Sequence, residues 1–448
     1  MKTLDQIAAE LQGYDPQALS ADDVLVFLSK LVTPVHDLVE LPLFESLGRV
    51  LAEDVVSPFD VPPHDNSAMD GFAFDGQQLL AGRAIDLQVV GTAFAGKAWQ
   101  GKVQAGQCVK IMTGAIMPAG LDTVAPQELV TVNGDVVTIA ARLLKPGDNR
   151  RLRGEDLEQG KPALLKGELV TPARLGLAAS LGLTSLSTWR ALRVAYFSTG
   201  DEILSLGEAP REGAVYDSNR YTVFGMLTRM GCQVIDLGVV RDDPALLEAA
   251  FLSAAAQADA IITSGGVSVG EADFTKAMMK KLGDVAFWRI AMRPGRPMAV
   301  GRIAIPETSV KSADCADAAV MDACQHRSNS NAAILFGLPG NPVAVMVTFL
   351  AFVRPALLQM MGTAASAPPL LKARCQESIR KKPGRTEYQR GWVSTAADGS
   401  LQVKTTGNQG SGVLRSMAEA NGLMVLHHGQ GNIALGEEVD VLMFDGVI

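Results

Sequence analysis

The chain of 448 residues is too long for one ordinary core, and its composition, 48% hydrophobic and 20% charged residues, is that of a soluble globular protein. Its 48 acidic and 40 basic residues give a net charge of −8, which excludes a general attraction for nucleic acid or for an anionic membrane. Any anion-binding site must therefore be local.

The N-terminal part predicts packing helices. Apolar residues recur at helical spacing over residues 4–11 and 21–31, with Ser20 capping the second helix, and a third helical pattern follows Pro42 through residues 47–51. The first 15 residues contain acids and no apolar signal core, so we expect a cytoplasmic protein. The five cysteines are scattered along the chain, which indicates reduced, structural thiols.

A small β domain is predicted next. The proline-rich residues 54–63 force an extended path into a polar loop around Asp70-Gly71, which suits either a binding site or an ordinary turn. Short runs rich in Val, Ile and Thr, broken by glycine, then fill residues 86–144. Thr113 stands at the end of one of these strands, where it can reach a ligand.

A charged segment closes this region. Residues 150–156 carry three arginines followed by Glu155 and Asp156, a pattern that also fits a solvated surface turn. Helical periodicity resumes from Pro172 to Leu181.

From residue 192 onward, strands and helices alternate regularly. The predicted strands comprise residues 192–198, 233–240, 260–263, 285–291 and 333–336, and the predicted helices comprise residues 218–231, 244–257, 271–283 and those after Pro342. This alternation predicts an α/β domain with a parallel sheet.

The turns after these strands should meet. Strands joined by right-handed crossovers place their carboxyl ends at one edge of a sheet. We therefore expect one crevice, lined by the turns at residues 199–202, 241–244, 264–273, 293–297 and 338–342. Ser264-Gly265-Gly266 is the central turn, because missing side chains let backbone N–H groups approach a phosphate there. Alone, such a turn is equally an ordinary tight turn.

Charged residues accompany these turns. The acids are Asp201, Glu202, Asp242, Glu271 and Asp273, and the cations are Arg289, Arg293 and Arg296. Carboxylates crowded beside an anion site repel the anion unless a divalent cation intervenes, and oxygen ligands suit Mg²⁺. The sequence therefore predicts a crevice that holds a phosphorylated ligand together with Mg²⁺.

Residues 308–331 look like a surface insertion in the α/β domain. Cys315, Cys324 and His326 lie close together in it, so a zinc site is an alternative there. Beyond it, the apolar residues 343–361 are interrupted by Arg354-Pro355 and predict a buried helix, not a membrane span.

After a linker at residues 364–369, alternating strands separated by glycine-rich turns predict a C-terminal β domain. Arg390 and Ser411 in that domain are candidate anion contacts, unless each serves only its own domain.

Ordered motifs along the chain closely resemble the molybdopterin molybdenumtransferases, the MoeA family, which is related to the C-terminal domain of gephyrin. They are Asp65-Asn-Ser-Ala-Met-Asp-Gly, Met112-Thr-Gly-Ala, Arg153-Gly-Glu-Asp, Phe197-Ser-Thr-Gly-Asp-Glu, Ser264-Gly-Gly-Val-Ser-Val-Gly-Glu-Ala-Asp and Gly337-Leu-Pro-Gly-Asn-Pro. The resemblance covers nearly the whole chain, and the set in this order is specific where each motif alone is weak.

The resemblance implies a multidomain fold and a homodimer. It implies a three-layer α/β domain of the molybdopterin-binding type at residues 189–364 and a barrel-like β domain at residues 365–448. It also implies an elongated, discontinuous N-terminal domain at residues 1–57 and 152–188, into which a small β domain at residues 58–151 is inserted.

The implied reaction converts adenylylated molybdopterin and molybdate into molybdenum cofactor and AMP, with Mg²⁺. A molybdopterin adenylyltransferase is a candidate partner, and the sequence does not tell whether such a partner delivers the substrate. On the resemblance, the family's functional positions are Asp70, Thr113, Asp156, Glu202, Asp242, Asp273, Pro339, Pro342, Arg390 and Ser411.

Roles follow for these and neighbouring residues. Glu202, Asp242 and Asp273 would hold the metal ion; Ser264, Gly265, Gly266 and Ser268 would bind the pterin phosphate; Arg289, Arg293 and Arg296 would bind phosphate or molybdate. The family often has lysine at these three arginine positions, so the geometry of anion binding differs here. Asp70 and Thr113 would act at the crevice of the partner subunit.

Two other functions remain open from the sequence. A molybdopterin adenylyltransferase shares the sheet and a Ser-Gly-Gly turn, which there usually continues with Thr-Gly and here continues with Val267-Ser268. A non-catalytic scaffold, a role that gephyrin also has, would not need Glu202, Asp242 and Asp273 together.

Overall fold

The computed structural model describes residues 2–267, 274–305, 332–364 and 367–444. The chain forms two compact units, which are described separately. Unit 1 comprises Met1–Glu53, Lys166–Thr171 and Ser185–Ile448, and unit 2 comprises Asp54–Leu165 and Pro172–Thr184. Ser268, Glu271, Asp273 and the 308–331 insertion with its Cys315, Cys324 and His326 lie outside the described residues.

A six-stranded sheet forms the centre of unit 1. Its strands are β1 (Arg193–Thr199), β2 (Gln233–Val240), β3 (Ala260–Ser264), β4 (Gly283–Arg289), β5 (Pro297–Ala304) and β6 (Ala332–Leu338), in the spatial order β2-β1-β3-β6-β5-β4. The pairs β1/β2, β1/β3 and β3/β6 are parallel, whereas β5 is antiparallel to both β6 and β4. The prediction of a parallel sheet thus holds for four strands, and β5 was missed.

Helices cover both faces of this sheet. They are α1 (Ser218–Arg229), α2 (Pro244–Gln257), α3 (Phe274–Leu282) and α4 (Pro342–Thr348). Asp217 and Asp243 cap α1 and α2 by accepting bonds from backbone N–H groups of the first turn. All residues of β1 are buried, as expected for a strand covered on both faces, and Phe197 packs edge-on against Phe251 of α2.

The long apolar segment after β6 is a core helix, as predicted. It continues from α4 through a π-helical turn at Phe349–Val353 into Arg354–Met360. The 19-residue segment Pro342–Met360 is long and apolar enough to cross a membrane, but 67% of its most apolar window is buried inside the protein.

The N-terminal elements of unit 1 follow the sequence in part. Helices Leu4–Ala9 and Ala21–Leu31 form, and Ser20 caps the second through a bond from Asp23 N–H. The predicted third helix is wrong, because Leu43–Glu45 makes only a 3₁₀ turn. Gly48 then takes the left-handed conformation, with φ of +76°, and Val50 and Leu51 form β-bridges to Leu169 and Thr188.

The remaining strands of unit 1 are short pairs and a barrel. Leu38–Pro42 pairs with Ser185–Trp189, and Ile203–Leu204 pairs with Val215–Tyr216. The C-terminal strands Leu371–Cys375, Thr386–Thr395, Leu401–Thr405, Gly422–Leu426 and Glu438–Met443 close into a five-stranded barrel, joined at one side by Met292–Arg293. One short helix, Arg415–Ala418, lies within this region.

Unit 2 is the predicted small β region with short flanking elements. Its six-stranded sheet comprises Gly71–Phe74, Ile85–Ala93, Gln107–Ile111, Thr123–Pro126, Thr131–Asn133 and Val136–Ile139, with 3₁₀ turns at Gly76–Ala81 and Gln127–Leu129. Val55–Val56 pairs with Pro162–Leu164, and Asn66–Ser67 pairs with Arg150–Arg151. The predicted helix is present at Pro172–Ser180.

The described cysteines behave as the sequence predicts. Cys108, Cys232 and Cys375 are buried free thiols, and burial raises the pKa of Cys108 to about 12. They are therefore protonated at neutral pH and contribute to packing.

Candidate functional site

One crevice of about 1570 Å³ opens in unit 1 at the carboxyl ends of β1, β3 and β6. Turns from all five predicted segments contribute to its walls. The contributing residues of these segments are Thr199, Gly200, Glu202, Asp242, Ser264, Gly265, Gly266, Val267, Arg293, Pro294, Gly295, Arg296, Pro297, Pro339, Gly340, Asn341 and Pro342. The structure thus brings together loops that are far apart in the sequence.

The turn Ser264-Gly265-Gly266 can only be built with glycine. Gly265 and Gly266 have φ of +93° and +63°, in the left-handed region. A Cβ on Gly265 would stand 2.5 Å from the Thr199 carbonyl oxygen, and one on Gly266 would stand 2.5 Å from the Thr275 Cβ. The chain is therefore held tightly against β1 and α3, with its bare backbone lining the crevice.

Two of the three predicted metal ligands, Glu202 and Asp242, line the crevice. Asp273 lies outside the described residues, as does Ser268. Over the part of the chain that the structure describes, no group of three or more His, Cys, Asp or Glu side chains is placed to hold a metal ion. Two carboxylates suit an ion that takes its other oxygen ligands from water and from a bound phosphate.

The predicted cations divide into two classes. Arg293 and Arg296 line the crevice, whereas Arg289, the last residue of β4, is not among the lining residues. A cation that the sequence reasoning missed, Arg385, also lines the crevice and forms a 2.7 Å ion pair with the buried Glu387. Its position after the Pro383-Gly384 turn gave only a weak indication of this role.

Ser411 lines the crevice, but Arg390 does not. Arg390 is 1% exposed, and its guanidinium donates to Ser416 Oγ at 3.0 Å and to the carbonyl oxygens of Asn408 and Gly410 at 3.3 and 3.0 Å. Burial, and then the charge of Arg293, lower the pKa of Arg390 to about 10, so it is still charged at neutral pH. Arg390 therefore holds the loop that presents Ser411.

Ser264 belongs to a buried cluster of three hydroxyl groups beneath the crevice. Tyr196 Oη lies 2.7 Å from Ser264 Oγ and 2.9 Å from Ser198 Oγ, and the two serine oxygens are 3.2 Å apart. Burial raises the pKa of Tyr196, and the Asp217 carboxylate raises it further. The phenol is therefore neutral and can fix the orientation of Ser264.

Asp217 and Asn219 also line the crevice, although the sequence had indicated only the start of a helix at residue 218. Asp217 Oδ1 accepts from Arg220 N–H at 3.1 Å, and Asn219 Nδ2 donates to the Gly340 carbonyl at 2.8 Å. The same short stretch thus begins α1 and ties it to the turn after β6. Two charged or polar side chains two residues apart at a strand-to-helix connection were the only sequence indication.

The predicted residues of unit 2 form a separate arrangement. Asp70 Oδ1 accepts bonds from both the N–H and the hydroxyl of Thr113, and these bonds lower the pKa of Asp70. Asp156 is exposed, and its N–H donates to the Val61 carbonyl at 3.0 Å. Arg153 N–H donates to Asp65 Oδ1, which fixes the charged turn next to Asp156.

Comparison with known proteins covers almost the whole chain. Residues 19–182 match the family described as MoeA N-terminal region (domain I and II), residues 195–359 match the Probable molybdopterin binding domain, and residues 372–444 match the MoeA C-terminal region (domain IV).

Two curated relatives carry the same name. A protein of Haemophilus influenzae named molybdopterin molybdenumtransferase is 39% identical over 409 residues, which cover 91% of this chain and 94% of the relative. One of Nostoc sp. with that name is 34% identical over 406 residues, which cover 89% of this chain and 87% of the relative.

The crystal structure of the molybdopterin biosynthesis moeA protein from Pyrococcus horikoshii OT3 superposes with a TM-score of 0.76 at 25% identity, covering 95% of this chain and 100% of that one. The predicted fold class is therefore confirmed.

Proposed function

Because this chain belongs to the MoeA family of molybdopterin molybdenumtransferases, which are transferases of molybdenum cofactor biosynthesis, we propose that it inserts molybdate into adenylylated molybdopterin and releases AMP. The observation that carries this reaction is the crevice of unit 1, where a glycine turn comes together with three carboxylates and three arginines. The reaction brings together a phosphoanhydride and an incoming oxyanion. The backbone N–H groups, arginines and carboxylates of the crevice are suited to bind these anions, the carboxylates through a metal ion.

The protein's own groups divide the work of anion binding. The backbone of Gly265 and Gly266 lies bare at the crevice wall and supports the approach of a phosphate. Arg293 and Arg296, also at the wall, offer positive charge and planar donors for phosphate or molybdate oxygens. Ser411 faces the same cavity from the barrel loop that Arg390 holds.

Glu202 and Asp242 are proposed to hold Mg²⁺, with Asp273 as a third ligand. The fit rests on their chemistry: both are oxygen donors, both line the crevice that holds the phosphate, and Glu202 is exposed to its interior. When bound, the ion would withdraw charge from the phosphoanhydride whose P–O bond breaks as AMP leaves. The carboxylates would fix the position of the ion beside the leaving phosphate.

The residues of unit 2 are proposed to act in a homodimer. Asp70 and Thr113 form a fixed polar pair, and Asp156 lies in the same unit. We propose that these three residues border the crevice of the partner subunit. We also propose four domains, at residues 1–57 with 152–188, 58–151, 189–364 and 365–448, a cytoplasmic location, and delivery of the substrate by a molybdopterin adenylyltransferase.

The reaction is tested by incubating the protein with adenylylated molybdopterin, Mg²⁺ and molybdate, and measuring AMP. We expect AMP release that depends on molybdate. Glu202→Gln and Asp242→Asn should each slow it by about 100-fold or more, because each removes charge from the crevice. Asp236→Asn is the matched control, since Asp236 pairs with Arg220 and does not line the crevice. A wild-type protein that releases no AMP would overturn the proposal.

A further inference from the structure

Three buried polar atoms beside the glycine turn have no hydrogen-bond partner within the described ranges. They are Thr199 Oγ1, Asp217 Oδ2 and Asn219 Oδ1, whose residues are 4%, 4% and 8% exposed and all line the crevice. Buried polar groups in folded proteins are nearly always paired, so these three atoms are available to pair with a ligand or with water.

The residues of these atoms line the crevice together with the turn Ser264-Gly265-Gly266. A Cβ on Gly265 would stand 3.0 Å from Thr199 Oγ1, and one on Gly340 would stand 3.9 Å from the Gly265 Cα. Asn219 is bonded to the Gly340 carbonyl, which places it at the same turn. The charge of the Asp217 carboxylate raises the pKa of Tyr196, whose hydroxyl is hydrogen-bonded to Ser264.

The chemistry of this group is one-sided. Asp217 Oδ2 and Asn219 Oδ1 can only accept hydrogen bonds, and the Thr199 hydroxyl can do either. The cation on the same helix, Arg220, is engaged with Asp236 through three contacts of 2.7 to 2.9 Å. A buried carboxylate repels phosphate and molybdate, so this part of the crevice suits an uncharged ring that carries adjacent N–H donors.

We infer that Asp217 and Asn219 form the subsite that recognises the pterin ring, by accepting hydrogen bonds from its 2-amino group and its N3–H. This inference rests on the proposed function and adds to it which residues read the heterocycle. The two pterin donors are neighbours on one edge, and the two acceptors belong to residues two positions apart at the start of α1. The 6-amino group of adenine, the other ring of the substrate, is flanked by N1 and N7, which are acceptors and would face the protein oxygens.

The location agrees with this division of the substrate. All three residues fall within residues 195–359, the segment that matches a molybdopterin binding domain. The arginines at positions 293 and 296 remain for the anionic part of the same molecule. Asp217 and Asn219 thus determine which ring is accepted, and the arginines bind the anionic groups of the same substrate.

The test measures binding of two fluorescent probes, pterin-6-carboxylate and lumazine-6-carboxylate, to the intact protein. Lumazine has a carbonyl oxygen where pterin has the 2-amino group and carries a hydrogen on N1, and the two probes otherwise match. We expect the wild-type protein to prefer the pterin by about 100-fold, because a site built to pair with an N–H group rejects a ligand that lacks it.

Asp217→Asn is the informative variant. Asparagine caps a helix as well as aspartate does, so the bond from Arg220 N–H and the fold are kept, while the second oxygen becomes an NH₂ donor. Pterin binding should weaken by about tenfold or more and lumazine binding should strengthen, since the donor now faces a carbonyl. Asp236 is the ion-pair partner of Arg220 and does not line the crevice, so Asp236→Asn should change neither the pterin affinity nor the lumazine affinity.

The outcomes separate this inference from the proposed function. Equal binding of the two probes by the wild-type protein, or unchanged pterin binding by Asp217→Asn, would overturn the inference. Loss of AMP binding in Asp217→Asn with intact pterin binding would also overturn it, because the subsite would then read adenine. A failure of molybdate-dependent AMP release alongside an intact pterin preference would instead remove the transferase reaction and leave the subsite.

Discussion

A single oxygen of Asp70 accepts two hydrogen bonds from Thr113, one from its N–H at 2.6 Å and one from its hydroxyl at 2.7 Å. The two residues are far apart in the sequence and belong to separate loops of unit 2. Sequence motifs marked each of them, but only the folded chain joins them into one polar group. The backbone N–H is the larger cause and the hydroxyl the smaller cause of the lowered pKa of Asp70.

Thr113→Val should therefore raise the pKa of Asp70 without restoring it fully. The variant removes the hydroxyl and keeps the N–H, so the pKa should rise but stay below that of a free aspartate. A folded-state pKa below the unfolded one stabilises the fold above the unfolded pKa, and this contribution is lost as the pH falls through the folded pKa. In the variant that loss should be smaller, and it should be complete at a higher pH.

The measurement is a carboxyl ¹³C NMR titration of wild-type and variant protein. Thr138→Val is the matched control, because its hydroxyl donates to Asp86 at 2.6 Å in the same unit and does not contact Asp70. An Asp70 titration that is the same in Thr113→Val and wild-type protein would contradict the assigned cause.

Tyr196→Phe should loosen the floor of the crevice. Tyr196 is 1% exposed and holds Ser264 at 2.7 Å, so the variant should lose about 1 kcal/mol of stability, the usual net value of a hydrogen bond. The KM for the pterin substrate should also rise, since Ser264 loses its shorter hydroxyl partner.

Tyr14→Phe separates the two effects. Its hydroxyl accepts from Trp288 Nε1 at 2.9 Å and does not line the crevice, so this variant should lose similar stability in urea denaturation with an unchanged KM. Equal KM values for the Tyr196 and Tyr14 variants would rule out a positioning role for Tyr196.

The sequence predicted the edge of the sheet well for a physical reason. Buried parallel strands are short apolar runs, and β1 and β3 each end at a glycine turn that a Cβ would disrupt. Both the apolar run and the glycine that ends it can therefore be recognised in the sequence. Strand β5 was missed because Pro297 was assigned to a turn and no element was predicted for the residues that follow it. Proline is tolerated at the first residue of a strand, and Pro297 occupies that position.

The errors elsewhere come from long-range contacts. Residues 47–51 have a local helical pattern, but Val50 and Leu51 are buried by bridges to residues more than 100 positions away. Arg390 and Arg293 are both basic residues near candidate loops, yet one is buried behind a loop and the other lines the crevice. Local pattern cannot separate a residue that contacts a ligand from one that holds its neighbour.

Arg390→Lys should test that difference. Lysine keeps the charge but is a point donor, and it cannot serve Ser416, Asn408 and Gly410 in three fixed directions. We expect the loop at residues 407–412 to become more susceptible to limited proteolysis, and KM to rise by about tenfold, the value of roughly one lost hydrogen bond. Arg415→Lys, whose 2.6 Å pair with Glu419 is exposed, should change neither property.

A direct anion contact predicts a different result for Arg390. In that case Arg390→Lys would retain most of the binding while the loop stayed resistant to protease. A protected loop together with an unchanged KM would therefore contradict the positioning role.

Divalent metal binding should depend on a phosphate ligand. Within the described residues the crevice offers Glu202 and Asp242 as metal ligands but no cluster of three, and two carboxylates leave most positions of an octahedral ion to water or phosphate. We expect Mn²⁺, followed by electron paramagnetic resonance, to bind about tenfold or more tightly in the presence of AMP, a coupling of ordinary size between two ligands. Asp242→Asn should abolish the coupling, whereas Asp236→Asn should retain it, because only Asp242 lines the crevice. Mn²⁺ binding that is equally tight with and without AMP would mean that protein side chains alone complete the site, and the shared metal–phosphate arrangement would have to be given up.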